Sequence, residues 1–128
     1  MGIIEERVKQ REEYIRHARN FAECVLEKLG GSTLILHGSV AKGDFNEWSD
    51  IDVLVIVRGR LPLNPLKRLD LIYECLKLYP RIEPVLVTVS EYRRLLKKRN
   101  PLVMGALKSG IVLVDGLNIM SNPGKAIV

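Results

Sequence analysis

Over residues 3–29, apolar side chains recur at spacings of three and four, at Ile15, Ala18, Ala22, Val25, Leu26 and Leu29. No proline or glycine interrupts them, so the spacing predicts one long amphipathic helix ended by Gly30-Gly31. Its first half, EERVKQREEYIRHAR, is mostly charged and is expected to face solvent. STLILHG then reads as a short buried strand, and GSVAKGDFNEWS as a polar connection that opens with a helical turn. IDVLVIV is apolar on both faces after Asp52, the pattern of an interior strand. A two-proline loop, RGRLPLNP, leads to a helix expected over residues 66–79 and stopped by Pro80.

RIEPVLVTV is a third strand, placed at an edge or bulged because Pro84 has no N–H to give to a neighbour. SEYRRLLKKR predicts a helix with Ser90 as its N-cap. NPLVMGALKSG predicts another, with Pro101 at its start and Gly110 past its end. IVLVDG is a fourth strand. The tail, residues 116–128, carries mixed signals and reads as loose or held by a partner. The order α-β-β-α-β-α-α-β implies an α/β (α+β) sandwich with a single mixed sheet of about four strands flanked by helices. No repeat or linker divides it, so residues 1–128 are expected to form one domain with a core at about 32–115.

Composition narrows the class without fixing the function. Of 128 residues 47% are hydrophobic, which fits a globular chain and excludes a disordered one. The net charge of +5 suits an anionic partner and equally suits a Lys/Arg-rich thermophile surface. Cys24 and Cys75, both in apolar helical settings, are expected to be buried free thiols. No apolar run approaches the ~20 residues of a membrane span. The N-terminus is charged from Glu5 and lacks a signal-peptide core, so a cytoplasmic location is expected.

The candidate chemistry lies in residues 36–57, LHGSVAKGDFNEWSDIDVLVIV. Residues i and i+2 of an extended strand share a face, so Asp50 and Asp52 project side by side while Ile51 enters the core. Two adjacent carboxylates repel, and a divalent cation resolves the conflict; Mg²⁺ takes one or two carboxylates plus substrate phosphates. Gly38-Ser39 follows a strand and opens a turn, where backbone N–H groups and the Ser39 hydroxyl suit a phosphate. Lys42 and Gly43 add a cation and a flexible point. Ten residues separate Ser39 from Asp50, enough to fold the phosphate cradle back on the carboxylates.

Gly-Ser, ten residues, then Asp-x-Asp resembles the signature of the DNA polymerase β-like nucleotidyltransferases, and most nearly that of the minimal nucleotidyltransferase (MNT) domains. SDID, from Ser49 to Asp52, matches the usual form; Lys42 stands where arginine is common. The resemblance implies two Mg²⁺ ions, ATP as substrate, and Asp50, Asp52 and Glu83 as catalytic metal ligands, with Glu83 in the place of a third carboxylate that is often aspartate. It implies nucleotide binding by Gly38, Ser39, Lys42 and Ser49. Such domains often pair with a HEPN toxin and act as antitoxin, transferring AMP to a toxin tyrosine. Two alternatives stand beside this: a nucleotide- and partner-binding module without catalysis, or a transferase acting on RNA or a small molecule. A homo-oligomer is compatible with each.

Other residues carry milder expectations. His37 reads as a core or supporting residue, and with only His17 elsewhere a zinc site is not expected. Trp48 reads as loop packing or a base-stacking ring. The run RRLLKKR, Arg93 to Arg99, reads as a solvated helix face or as a surface for RNA or an acidic protein.

Overall fold

The computed structural model describes residues 2–46 and 49–120. The element order is α1 (Ile3–Leu29), β1 (Ser32–His37), α2 (Gly38–Lys42), β2 (Ile51–Val57), α3 (Pro65–Asp70), α4 (Tyr73–Leu78), β3 (Ile82–Thr88), α5 (Val89–Lys97), α6 (Pro101–Ser109) and β4 (Ile111–Asp115). The strands form one mixed sheet in the order β3-β2-β1-β4. β1 is antiparallel to both β2 and β4, whereas β2 and β3 are parallel. β3, with Pro84 in it, lies at an edge, as its missing donor requires.

Alternation along the strands builds two cores. Leu34, Leu36, Val53 and Val55 pack with Phe21, Ala22 and Val25 of α1 on one face. Ile35, Leu54 and Ile56 pack with Tyr92, Leu96, Val103 and Ala106 of α5 and α6 on the other. β1 and β2 are buried on both faces, which explains their unbroken apolar runs.

Four expectations need correction. The helix expected over 66–79 is broken into α3 and α4. Leu71 and Ile72 donate to the carbonyls of Arg68 and Leu69, three residues back, tightening the chain and ending the first segment. The N-cap of α5 is Thr88, not Ser90. Its hydroxyl accepts the Glu91 N–H while the Glu91 carboxylate accepts the Thr88 N–H, a reciprocal capping box. The two cysteines are not free: packing of α4 on α1 brings the Cα atoms of Cys24 and Cys75 to 5.8 Å, and the thiols are joined in a disulfide. The start of the tail is held by its own chain, since Asp115 accepts the N–H groups of Ile119 and Met120 and the Thr33 hydroxyl. Residues 121–128 lie outside the described residues.

A second ionic centre sits at the far end of β3. Arg68, only 8% exposed, forks onto both oxygens of Glu91 at 2.8 and 2.9 Å. It also donates to the carbonyls of Pro62 and Leu86. The Arg68 hydrogen bond, with help from Thr88, holds the Glu91 carboxyl down at about 2. Among the described residues no helix is long and apolar enough to cross a membrane.

Candidate active site

At the end of β1 the chain turns sharply into α2, and the turn depends on Gly38. Its φ is +77°, and the Asp52 carboxylate lies directly over its Cα: a Cβ there would collide with Asp52 Oδ2 and sit 3.2 Å from Cγ. Glycine is thus required twice, for its backbone angle and for the close approach. α2 ends at Gly43 (φ +86°), whose N–H bonds to the Ser39 carbonyl at 2.9 Å. No side chain caps the start of α2. Ser39 is half-buried and Lys42 is exposed.

The register then brings the carboxylates together. Asp52 on β2 stands opposite His37 on β1 and beside Glu83 on β3, so the three form a row across the sheet. Asp50 lies just before β2. The charge of Asp50 is the first cause that pushes the Glu83 carboxyl up; burial, the Asp52 charge and a hydrogen bond with Asp50 add to it. Burial pushes the Asp52 carboxyl up as well, against the attraction of His37. Burial pushes the His37 imidazole down, and its Nε2 is buried without a hydrogen-bond partner. None of the ion pairs among the described residues involves Asp50, Asp52 or Glu83.

A crowd of carboxylates without a cation is the donor chemistry of a hard divalent ion. No three such groups among the described residues are arranged to hold one by themselves. A cleft of about 380 Å³ opens at this row, with Leu69, Pro84, Val85 and Leu102 beside His37, Asp52 and Glu83.

Not every expected site residue joins the row. The Ser49 hydroxyl accepts the Asn46 N–H at 3.0 Å, which closes the loop, and the Ser49 carbonyl accepts from Arg81 Nη2. Trp48 lies outside the described residues.

The first half of α1 is not merely solvated. Arg11 donates to the carbonyls of Val40 and Ala41 at 2.9 and 2.6 Å, bracing the last turn of α2. Arg7 donates to the Phe45 carbonyl, and Tyr14 packs edge-on against the Phe45 ring. Sequence reasoning missed these braces, because arginines in a charged run look solvated whatever they touch. The sequence places His37 in the core or in a supporting role; its place opposite Asp52 follows from the β1–β2 register alone.

The family described as "nucleotidyltransferase domain" matches residues 18–111. A candidate protein adenylyltransferase of Methanocaldococcus jannaschii is 35% identical over 109 residues, covering 80% of this chain and 72% of that protein. The crystal structure of a candidate nucleotidyltransferase from Sulfolobus solfataricus superposes with a TM-score of 0.63, covering 88% of this chain and 87% of that one. At 18% identity the latter similarity speaks for the fold alone.

Proposed function

The chain belongs to the nucleotidyltransferase-domain family, and from that premise we propose that it transfers AMP from ATP to a hydroxyl of a partner protein. The acceptor we favour is a tyrosine of a HEPN-type toxin, with this chain as antitoxin. The observation that carries the reading is the row Asp52–Glu83 with Asp50 beside it, which pairs with no cation among the described residues and faces Gly38 at the mouth of α2. The jannaschii relative, described as a candidate protein adenylyltransferase, supports a protein as acceptor.

In this reading the N–H groups and hydroxyl of Gly38 and Ser39 hold the β- and γ-phosphates, and Lys42 adds a positive charge. Asp50, Asp52 and Glu83, together with the substrate phosphates, would hold Mg²⁺, which when bound neutralises the triphosphate and these carboxylates. The acceptor oxygen attacks the α-phosphorus, the bond to the β-phosphate oxygen breaks, and pyrophosphate leaves. Glu83, exposed at the edge strand and pushed up by its neighbours, takes the acceptor's proton. Ser49 acts through the loop it closes. Gly38 keeps the cradle and the carboxylates in contact, so catalysis rests on positioning.

The test uses ATP labelled at the α-phosphate, with Mg²⁺ and cell lysate, beside the Asp50→Asn/Asp52→Asn variant. Aspartate-dependent label in a small protein supports the reading and identifies the target. Label in RNA redirects it to a polynucleotide acceptor. No aspartate-dependent label favours a binding module.

A further inference from the structure

α5 buries Tyr92 and Leu96 and exposes Arg93, Arg94, Lys97 and, just past its end, Lys98 and Arg99. None of the ion pairs among the described residues involves these five cations. The one acidic residue of α5, Glu91, is committed to Arg68 and to the Thr88 N–H. Arg93 and Lys97, and Arg94 and Lys98, are like charges four residues apart, an arrangement that works against the helix. The helix dipole favours cations only in the last turn, so it does not account for Arg93. Among the described residues no ion pair or side-chain hydrogen bond accounts for this face.

Its position is informative. Arg99 stands three residues before Leu102, which lines the cleft beside Asp52 and Glu83. The two segments are joined firmly. The Asn100 N–H bonds to the Leu95 carbonyl, and the Asn100 side chain accepts the N–H groups of Leu102 and Val103. The end of the basic run is thereby tied to the start of α6, which carries Leu102 of the cleft wall.

We infer that the exposed face of α5 is a docking surface for an acidic polypeptide segment of the acceptor protein, seated so that a neighbouring hydroxyl enters the cleft; the acceptor's being a protein rests on the function proposed above. A polypeptide fits better than a nucleic acid for two reasons. Single-stranded RNA is gripped by exposed aromatic rings, and the one aromatic residue of α5, Tyr92, is buried. The adjoining wall is apolar, with Pro84, Leu102 and a 41%-exposed Val85. An acidic segment of protein brings apolar side chains for that wall as well as charge, and a phosphodiester backbone does not.

The experiment measures fluorescence anisotropy of a labelled peptide of glutamates around one tyrosine, against a lysine counterpart and an oligouridylate of equal length. The full chain is compared with Arg93→Glu/Arg94→Glu/Lys97→Glu/Lys98→Glu, from about 0.05 to 0.15 M salt. The acidic peptide is expected to bind, to weaken with salt, and to lose about tenfold or more in affinity to the variant. The same positions changed to Gln carry the test if the Glu variant does not fold. Asp50→Asn/Asp52→Asn is expected to bind the peptide undiminished, which separates a failure of docking from a failure of transfer. No binding of the acidic peptide, equal binding by the variants, or tighter binding of oligouridylate overturns the proposal, the last in favour of a nucleic-acid surface.

Discussion

The two ends of β3 treat carboxylates in opposite ways. At its C-terminal end Glu91 meets a buried guanidinium with matched donors, and its acidity is strengthened. At its N-terminal end Glu83 meets Asp50 and Asp52, and its acidity is weakened. The first arrangement is complete within the chain and fastens the β2–α3 loop, β3 and α5 together. The second meets no cation among the described residues. A charge whose partner lies in the same chain is architecture, whereas like charges gathered without one mark a place for a ligand.

That contrast breaks first, and most visibly, at the N-terminal end. Asp50→Asn/Asp52→Asn is expected to lower nucleotidyl transfer by about 10³-fold or more. Its melting temperature should stay equal to or above that of the parent, because repulsion has been removed. A clear drop in melting temperature would make these residues structural and erase the distinction. The reciprocal change, Arg68→Ala, is expected to cost about 2–3 kcal/mol by urea unfolding, since it leaves the half-buried Glu91 carboxylate and the Pro62 and Leu86 carbonyls without their donor. Transfer per folded molecule should change little.

Titration sharpens the contrast through its sign. Glu91 is depressed, so its contribution is present above the ordinary carboxylate range and is lost as pH falls toward about 2. Discounted for its partial exposure, that loss is roughly 2–3 kcal/mol. Glu91→Gln should flatten the decline in chemical denaturation between these limits. Glu83 and Asp52 are raised, so acidification from neutral pH protonates them first in the folded state and adds stability there. Asp50→Asn should remove part of that gain.

Smaller effects follow. Gly38→Ala should cost about 1–2 kcal/mol, from a strained left-handed residue and the collision with Asp52. Its loss of transfer should exceed that of an equally destabilising core change. Millimolar Mg²⁺ should raise the melting temperature of the parent by on the order of 1–2 °C and leave Asp50→Asn/Asp52→Asn unmoved. A shift shared by both would place the ion elsewhere.

The strands and the motif were legible because their information is local. IDVLVIV announces a strand buried on both faces, and it is β2 to the residue. Gly-Ser and Asp-x-Asp lie ten residues apart in one segment. Glu83 was reachable only through the family resemblance, which implies a third carboxylate on a later strand; the parallel pairing sets it beside Asp52. What stayed hidden depends on distant partners. Arg11 reaches Val40 across 29 residues, and Arg68 reaches Glu91 across 23. Their side chains belong to charged stretches whose periodicity says only which face is polar. The Thr88 cap, by contrast, is local, and its T-x-x-E spelling stood in the sequence; the break after α3 is made by bonds that reach only three residues back.

The Cys24–Cys75 bond closes a covalent ring of chain, and the ring has contents. It encircles β1, α2 and β2, and so contains Gly38, Ser39, Asp50 and Asp52, while Glu83 hangs outside it. Tying ends 51 residues apart restricts the unfolded chain by roughly 4 kcal/mol of loop entropy. It also means that a protease cutting once between residues 43 and 50 yields no separate pieces. Gly38-Ser39 and the paired aspartates stay on a single molecule, and reducing the disulfide is what frees one piece from the other.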